Sequence, residues 1–504
     1  MSSTPVAEGA DFPIHRGKRS STWLGKEVFA SCARDLDPEL AARIEATKNW
    51  REDYLQPCLD LVSLAALSPD NAVHIATTGL RVLHESFVFG ADGEERLLAE
   101  AVADRDTQGF ADVAVQGTRA MDEPSFVLPY GGKSLEGSDL RAQLARWTER
   151  GFAEPSLEAA IGNVLDHPQW LDLRGVPVVL LGAGAELGPI QQLLAWGADV
   201  WAIDLPRPAI WRRLISVASE SPGTLHVPVP AGVRLPDADD HNALAEIAGA
   251  NLITQAPQIR RWLDLIEDPF ILANYCYADG ALNVRLSMAC DAIAADVLKD
   301  RPDVMLAFLA TPTDAFAVPG EALAESRARW RANKVARATR RPLKLAGLFQ
   351  PNYRNTVVNE SGEEVGIADC IVPQQGPNYL LAKRMQRFRA VASRSEGTRI
   401  SLNVAPATRT VSVVKNKALA AAYAGAGQFG IEVFDPDTTN ALMAALMVRD
   451  LRDPTSLSNP ELAVGNQMEL FQDAACHGGL WRVAYDPRSV LGVAAVVGMI
   501  VRSA

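Results

Sequence analysis

The spacing of apolar residues along the chain changes near residue 170. Before that point, from Asp37 to His167, apolar residues recur three and four positions apart, and runs of β-branched residues are few. This spacing predicts helices, because residues three and four apart share one face of a helix. After residue 170, short apolar runs alternate with stretches of helical spacing. Such alternation predicts a parallel sheet with helices on both faces.

A glycine-rich segment follows one of the predicted strands. The run Val176–Leu181 is apolar, as in a buried parallel strand, and a stretch of helical spacing begins at Ile190. The glycines between them are Gly182, Gly184 and Gly188. A strand, a glycine turn and a helix in this order place backbone N–H groups against a pyrophosphate. The segment therefore predicts a nucleotide-binding loop.

A carboxylate ends the next predicted strand, 199–204, and bears on the choice of cofactor. Asp204 lies about 20 residues beyond the glycines, the position at which an acid holds a ribose hydroxyl. We predict that the chain binds NAD or NADP, and Asp204 favours NAD because a carboxylate repels the 2′-phosphate of NADP. Arg207 and Arg212 lie close in sequence and leave this preference open. Doubly wound folds that bind no dinucleotide remain an alternative.

These patterns predict an α/β protein with a Rossmann-like doubly wound parallel sheet, preceded by a helical N-terminal domain. We place a flexible polar tail at 1–22, the helical domain at 23–168 and the Rossmann-type domain at 169–504. The last of these contains an insertion at about 320–376. The longest apolar run, Val490–Val501, is too short to span a bilayer and is expected to dock in a core or a subunit interface.

Composition and charge exclude several classes of function. The chain has 504 residues, of which 48% are hydrophobic and 22% charged, as is usual for a folded protein with room for two or more domains. Its net charge of −12 argues against a general nucleic-acid binder. The six cysteines form no Cys-x-x-Cys pair, and the N-terminus lacks the basic and apolar regions of a secretion signal. We therefore expect a cytoplasmic protein without a metal site or a transmembrane segment.

A tyrosine and a lysine four positions apart form the candidate catalytic pair. Tyr379 and Lys383 fall on one face of a predicted helix. There the Lys383 ammonium can lie beside the Tyr379 phenol and favour its ionised form, because an unperturbed tyrosine pKa of about 10 is too high for proton transfer at neutral pH. A Tyr-x-x-x-Lys spacing also arises by chance, so its interpretation depends on the surrounding sequence.

The glycine segment and the Tyr-Lys pair together resemble the short-chain dehydrogenase/reductase superfamily, in a divergent form, over about residues 172–504. In that family a glycine loop opens the fold, and a catalytic Asn, Ser, Tyr and Lys follow in chain order. The resemblance implies an NAD(P)-dependent oxidoreductase that interconverts a secondary alcohol and a ketone.

The resemblance also assigns the catalytic positions. Tyr379 is the general acid/base, and Lys383 lowers the tyrosine pKa and holds the nicotinamide ribose. Thr311 ends an apolar run and stands where the family has its Ser, so it orients the substrate oxygen, with Thr313 close by. Asn283 takes the Asn position and supports a proton-relay water.

Further segments resemble the family's cofactor site. The segment 251–257 is similar to the end of the family's fourth strand and places Thr254 at the cofactor. The segment that contains Pro406 and Thr410 resembles the one that covers the nicotinamide, although Ala407 replaces the usual Gly. About 50 extra residues precede the Tyr-Lys pair, so the family does not define the substrate mouth.

Those extra residues carry a basic run. Eight Lys and Arg residues and no acid lie between Arg327 and Lys344, in a chain that is otherwise acidic. A solvated helix, or a contact with the acidic N-terminal domain, would explain such a run. The alternative is an anion-binding rim, formed in part by Arg331 and Lys334, for an acyl-CoA or carrier-protein thioester.

The predicted function is therefore an NAD(P)-dependent oxidoreductase that acts on a small-molecule substrate, free or carried as a thioester. A homodimer or homotetramer is expected. Two alternatives remain: a nucleotide-binding scaffold or sensor without turnover, and an enzyme of redox-neutral chemistry such as an isomerase or a lyase. An activated phenol favours an enzyme, because a scaffold has no need of one.

Overall fold

The computed structural model describes residues 6–237, 240–332 and 347–503. About half of it is helical, and the rest includes short strands. The strands are β1 (Gly9–Asp11), β2 (Ile14–His15), β3 (Lys18–Arg19), β4 (Val88–Ala91), β5 (Glu94–Leu97), β6 (Ala111–Gln116), β7 (Leu128–Tyr130), β8 (Lys133–Leu135), β9 (Pro177–Leu181), β10 (Asp199–Ile203), β11 (Thr224–Val229), β12 (Ile271–Asn274), β13 (Met305–Ala310), β14 (Ala315–Val318), β15 (Thr356–Val358), β16 (Glu364–Asp369) and β17 (Ile400–Val404).

The α-helices are numbered in the same way. They are α1 (Ser21–Arg34), α2 (Pro38–Ala46), α3 (Trp50–Asp53), α4 (Leu55–Leu67), α5 (Pro69–Ser86), α6 (Leu98–Ala103), α7 (Gly137–Arg150), α8 (Pro155–Asp166), α9 (Ile190–Ala195), α10 (Pro208–Ser219), α11 (His241–Ile247), α12 (Ala256–Trp262), α13 (Gly280–Asp300), α14 (Gly320–Ala332), α15 (Gly376–Ser395), α16 (Val411–Lys415), α17 (Lys417–Gly425), α18 (Pro436–Arg452) and α19 (Pro487–Ser503).

Seven strands form one sheet in the order β17-β13-β12-β9-β10-β11-β6. The edge strand β6 is antiparallel to β11, and the other neighbouring strands are parallel. The chain runs outward from β9 through β10 and β11, then returns to the other side of β9 for β12, β13 and β17. This reversal opens a crevice at the carboxyl ends of β9 and β12, where sheets of this kind bind ligands. The strands predicted at 176–181 and 199–204 are confirmed as β9 and β10.

The parallel strands are apolar because helices cover both faces of the sheet. In β9, Val179 and Leu181 pack into the core that contains α13 and α15. Val178 and Leu180 pack into the opposite core, with α8 and α18. All four side chains are completely buried. The sheet is therefore a rigid platform for the loops at its carboxyl edge.

The segment between β13 and α15 contains the predicted insertion and forms a small sheet of its own. β14, β16 and β15 pair in that order, and both pairs are antiparallel. Helix α14 packs against β16. Residues 333–346, which hold most of the basic run, lie outside the described residues.

The segment 251–257 is not the fourth strand of the sheet, so that prediction is wrong. The amide oxygen of Asn251 accepts the N–H of Ile253 at 3.0 Å, and the Gln255 N–H donates to the Asn251 carbonyl at 2.8 Å. These bonds form a turn that leads into α12. The parallel strand that follows β11 in sequence is β12, only four residues long.

The N-terminal part of the chain is mainly helical but shares the sheet. Strand β6 pairs with β11 along six residues, and α5 packs against α15. Within the predicted tail, β1 pairs with β4, and β2 pairs with β3. A separate helical domain over 23–168 is therefore not confirmed, because its residues complete the main sheet and its helical cover.

Candidate active site

A cavity of about 260 Å³ opens at the carboxyl ends of the parallel strands. Its walls come from the loops after β9, β12, β13 and β17, from the start of α15, and from α16 and α17. The predicted site residues in its wall are Thr311, Thr313, Tyr379, Lys383, Pro406 and Thr410. The cavity therefore lies at the crevice formed where the strand order reverses.

Three polar side chains surround the Tyr379 phenol. The hydroxyl oxygens of Thr311 and Thr313 lie 2.9 Å apart, and Thr313 donates to Oε1 of Gln375 at 2.9 Å. Thr311 follows β13 directly, whereas Gln375 immediately precedes α15 and Tyr379 lies in its first turn. The strand end and the helix start together hold a group that can donate or accept a proton.

Burial raises the pKa of Tyr379 above its ordinary value. Hydrogen bonding to Thr311 opposes this effect, the nearby Asp314 carboxylate adds to it, and hydrogen bonding to Thr313 also opposes it. The shift is opposite to the one that we predict from Lys383. Desolvation explains the difference, because removal of water from a phenol disfavours its charged form.

Lys383 lies one turn beyond Tyr379 on α15 and lines the same cavity. Its Nζ donates to the carbonyl of Leu309 at 3.4 Å and to Oε1 of Gln386 at 3.2 Å. Burial lowers the pKa of Lys383 to about 8, and Cys276 and Asp314 oppose that shift. The two hydrogen-bond acceptors of Nζ, the Leu309 carbonyl and the Gln386 amide oxygen, are uncharged. Desolvation of the ammonium therefore determines the direction of the pKa shift.

A buried ion-pair cluster fixes α15 to the turn between β13 and β14. Asp314 is fully buried and accepts hydrogen bonds from Arg384 at 2.6 Å and from Arg387 at 2.7 Å. Its Oδ1 also accepts the N–H of Ala315 at 2.7 Å. Because Arg384 follows Lys383 directly, this cluster fixes the part of α15 that carries Lys383.

The glycine loop is held by bonds within the protein. The N–H groups of Gly182 and Ala183 donate to the Ile203 carbonyl at 2.9 and 3.1 Å. Gly182 has a φ of +82°, and a Cβ there would lie 3.1 Å from the backbone of Cys276. Glycine is required here for both reasons. The Gly188 N–H donates to the Ala185 carbonyl at 3.0 Å.

Asp204 binds this loop from the end of β10. Its Oδ2 accepts the Gly184 N–H at 2.7 Å, and its Oδ1 accepts the N–H of Leu205 at 2.7 Å. Burial raises the pKa of Asp204, and the two amide bonds oppose that shift. Arg213 donates to the Gly184 carbonyl at 2.8 Å. The carboxylate thus shapes the glycine loop, which the sequence interpretation did not foresee.

Asn283 and Thr254 are among the predicted residues that do not line this cavity. The three glycines and Asp204 do not line it either, although residues 185–187 of the glycine loop do. Asn283 is buried in the first turn of α13, and its Oδ1 accepts the N–H of Ala278 at 3.1 Å. It braces the loop that follows β12. Thr254 lies in the turn before α12, close to Gly9 of β1. Its strand assignment is wrong for the reason given above, and its cofactor role remains a prediction.

The loop after β17 forms the opposite wall. Pro406, Ala407 and Thr410 line the cavity, and Thr410 Oγ1 lies 2.9 Å from the hydroxyl of Ser412. The N–H of Val411, at the start of α16, donates to the Glu186 carboxylate at 2.9 Å. This bond ties the glycine loop to the loop after β17.

The basic run is only partly described. Arg327 donates to Glu364 through both terminal nitrogens at 2.7 Å, and Arg329 pairs with Glu325. Arg331 lies near the end of α14 and is not part of the wall of the 260 Å³ cavity. Lys334 lies outside the described residues.

Several residues of the site escaped the sequence interpretation. Gln375 precedes α15 and accepts the hydrogen bond from Thr313, while Glu186 lies inside the glycine loop. Tyr423 reaches the cavity from α17. The Gln-Gln-Gly start of a helix was the available signal for Gln375. Tyr423 had no such signal, because a tyrosine in an alanine-rich helix resembles any core residue.

Other features bear on the class of protein. All six cysteines are buried and free. Within the described ranges, no group of three or more His, Cys, Asp or Glu side chains could hold a metal ion. A search of the same ranges for helices long and apolar enough to cross a membrane found none.

Comparisons with known proteins give one structural similarity to report. No protein-family model matches the sequence, and no curated protein matches it. The chain is similar to the structure of a thiolation-reductase di-domain from an archaeal non-ribosomal peptide synthetase, with 12% sequence identity and a TM-score of 0.26. The match covers 58% of this chain and 55% of that one, so the chain spans about half the length of the matched structure.

Proposed function

We propose that the protein is an NAD(P)-dependent oxidoreductase of the short-chain dehydrogenase/reductase type that interconverts a secondary alcohol and a ketone. The observation that carries the proposal is the meeting of Tyr379, Lys383 and Thr311 in one cavity at the carboxyl edge of the sheet. The parallel strands numbered from β9 follow the order 3-2-1-4-5-6, which is typical of Rossmann folds. The glycine loop after β9 lies beside the same cavity.

The residues present fit the nicotinamide half of the cofactor. Lys383 Nζ and the hydroxyls of Thr311 and Thr410 can bind ribose hydroxyls and a carboxamide. The apolar walls from Leu309 and Pro406 suit a flat ring. NAD(P)H, when bound, supplies or accepts the hydride. Asp204 favours NAD in this proposal, because a carboxylate at the end of the second strand of such a unit repels a 2′-phosphate.

Tyr379 is the proton donor to the ketone oxygen in this proposal. Its raised pKa keeps the phenol protonated at neutral pH, which is the state that reduction requires. Thr311 and Thr313 orient the substrate oxygen through their hydroxyls, which already bond to each other. In the oxidative direction the same phenol must first lose its proton. A pKa above the ordinary value makes that step harder. We therefore expect the oxidation rate near pH 7 to be limited by the small ionised fraction of the phenol.

Lys383 positions the cofactor in this proposal, and its charge depends on pH. Its Nζ is fixed by Leu309 and Gln386, so it faces the cavity in one orientation. With a pKa of about 8, a minority of the lysine side chains are neutral at pH 7. A bound ribose would add hydrogen bonds to the Lys383 ammonium.

An anionic thioester substrate remains part of the proposal. A basic run in a chain of net charge −12 raises the local concentration of anions near the insertion. Arg331 is its one described member that we assign to substrate binding. The run follows β14 and precedes α15, two elements whose starts lie close to the cavity, and that connection is the support for this assignment.

A nucleotide-binding scaffold without turnover is the second candidate. The N–H of Gly184 already bonds to Asp204, so the loop offers fewer free amides to a pyrophosphate than a typical glycine loop. Such a loop would bind a nucleotide weakly.

Two measurements test the proposal. Fluorescence titration with NADH and NADPH should detect micromolar binding, and NADH oxidation should be observed with a panel of 2-alkanones or 3-oxoacyl thioesters. Tyr379→Phe should then reduce kcat by about 10²- to 10⁴-fold with little change in cofactor affinity. Tyr130→Phe is the matched control, because Tyr130 bonds to Glu432 outside the cavity. Binding without oxidation of NADH would favour the scaffold, and an active Tyr379→Phe enzyme would refute the proposed role of the phenol.

A further inference from the structure

A second cavity lies beside the candidate active site, between α17, α19 and residues 370–372 of the segment that joins β16 to α15. Its volume is about 60 Å³. The apolar side chains that line it include Ile371, Val372, Ala422, Phe429, Val490 and Leu491. Among the described residues in its wall, the only side-chain nitrogen and oxygen atoms belong to Thr313, Tyr423 and Arg488. The Arg488 guanidinium is paired with Asp369.

The two cavities adjoin each other. Thr313, Ala407 and Tyr423 line both of them. Thr313 is also the residue that bonds to Thr311 and Gln375 beside the Tyr379 phenol. A molecule whose reacting group meets Tyr379 therefore lies next to the second cavity, and Tyr423 belongs to the wall that the two cavities share.

The helices that enclose the second cavity are in close contact. A Cβ at Gly425 of α17 would lie 2.1 Å from the Ala494 carbonyl oxygen, and one at Gly498 of α19 would lie 1.8 Å from the Ala421 carbonyl oxygen. Glycine at both positions allows the two backbones to touch. The closely packed helix pair thus forms one side of the cavity, and segments outside the two helices complete the wall.

We infer that the substrate has an apolar tail that occupies this second cavity while its carbonyl oxygen faces the Tyr379 phenol. This inference rests on the proposed function and names the class of substrate. An alkyl chain fits walls that offer few polar partners, because its burial is favourable without hydrogen bonds. A polar or charged tail would lose its hydration there without replacement.

The surface near the cavity agrees with an amphiphilic substrate. Val413 of α16 lines the first cavity, and its neighbours Val411 and Val414 are 54% and 50% exposed. The Val411 N–H bonds to Glu186, another residue of the cavity wall, so this exposed apolar pair lies at the rim. Apolar side chains at a rim favour the approach of an alkyl chain over that of a hydrated polar one.

The test measures binding separately from turnover. Isothermal titration calorimetry with 2-alkanones of four to twelve carbons, with and without NADH, should show affinity that rises by about fourfold per methylene until the second cavity is full. Ala422→Met fills that cavity from α17. It should weaken the binding of the longest alkanones by at least about tenfold, because two methylenes that lose their place in the cavity together contribute more than that. The shortest alkanones should bind as before.

The controls separate a filled cavity from a misfolded protein. Ala418→Met places the same side chain on the exposed face of α17 and should bind the whole series as the wild type does. Val433→Phe narrows the cavity from outside the helices and repeats the test if Ala422→Met lowers the melting temperature. Affinity that does not depend on chain length, or folded filling variants that bind long alkanones normally, would overturn the inference even if NADH is oxidised. Length-dependent binding that Ala422→Met abolishes, without oxidation of NADH, would support the tail site and refute the proposed function.

Discussion

The two ends of the candidate active site satisfy their polar groups in different ways. At the glycine-loop end, Asp204 accepts the N–H groups of Gly184 and Leu205, so carboxylate and amides bind each other. At the other end, Tyr379 and Lys383 face the cavity, and burial shifts the pKa of each toward the neutral form. The first end is a closed set of hydrogen bonds. The second holds two titratable side chains, and the described residues give neither of them a charged hydrogen-bond partner. In the proposed enzyme, the first end gives the glycine loop its shape and the second end carries out proton transfer.

The chemical end depends on support from behind. Lys383 has two uncharged acceptors, whereas the next residue, Arg384, is paired with the buried Asp314 together with Arg387. Burial raises the pKa of Asp314, but the two guanidinium groups outweigh burial and hold it below the ordinary value. One helix thus carries both the arginines that bind Asp314 and the two cavity-lining residues Tyr379 and Lys383.

The largest effect should follow removal of that anchor. Asp314→Asn leaves two buried guanidinium groups without a counter-charge, and loss of one partner of a buried ion pair typically costs about 3–5 kcal/mol. We expect the free energy of unfolding, measured by urea denaturation, to fall by that amount. Any folded fraction should also lose turnover, because α15 carries Tyr379 and Lys383.

An exposed ion pair provides the matched control. Arg327 and Glu364 make a bidentate pair on the surface of the insertion, where solvent screens the interaction. Glu364→Gln removes one carboxylate charge in the same way and should change stability far less. If both variants lose stability equally, the anchoring role of Asp314 is wrong.

A smaller effect should separate two roles of Asp204. Asp204→Asn keeps an acceptor for one loop amide but removes the charge, so it should raise the affinity for NADPH relative to NADH by about tenfold, or about 1.4 kcal/mol. Asp204→Ala also removes the bonds to Gly184 and Leu205 and should weaken both cofactors. Fluorescence titration of the two variants measures both quantities. An unchanged NADPH-to-NADH ratio in both would leave Asp204 with a structural role alone.

The sequence predicted the elements whose pattern is strong over several residues. β9 and β10 are continuous apolar runs, and α15 places Tyr379 and Lys383 one turn apart as the spacing requires. The strand predicted at 251–257 was wrong, because an apolar run bounded by polar residues also fits a turn closed by Asn and Gln side chains. The true strand, β12, has four residues and little periodicity to detect.

The environment of each side chain was less predictable than its position. The spacing of Tyr379 and Lys383 indicates neighbours on a helix but not how much water each retains. Burial, which depends on tertiary packing, reversed the predicted direction of the Tyr379 pKa shift. The second cavity was likewise hidden, because Ala422 and Leu491 come together only through the packing of α17 on α19.

The smallest expected effect concerns the pH dependence of stability at the chemical end. Burial lowers the pKa of Lys383 from the ordinary 10.5 to about 8, so between these values the unfolded chain binds more protons than the folded one. The free energy of unfolding of the wild type should therefore rise with pH across this window relative to that of Lys383→Met. Below pH 8 the wild type should be the less stable of the two proteins. We expect the difference in free energy of unfolding between the wild type and Lys383→Met to change by roughly 1 kcal/mol across the window, since the Lys383 side chain keeps some contact with solvent in the cavity. Urea denaturation at pH 7, 8.5 and 10 measures it, and Lys417→Met at the exposed start of α17 is the control. Parallel curves for wild type and Lys383→Met would show that Lys383 stays hydrated, and the contrast between the two ends of the cavity would then rest on Tyr379 alone.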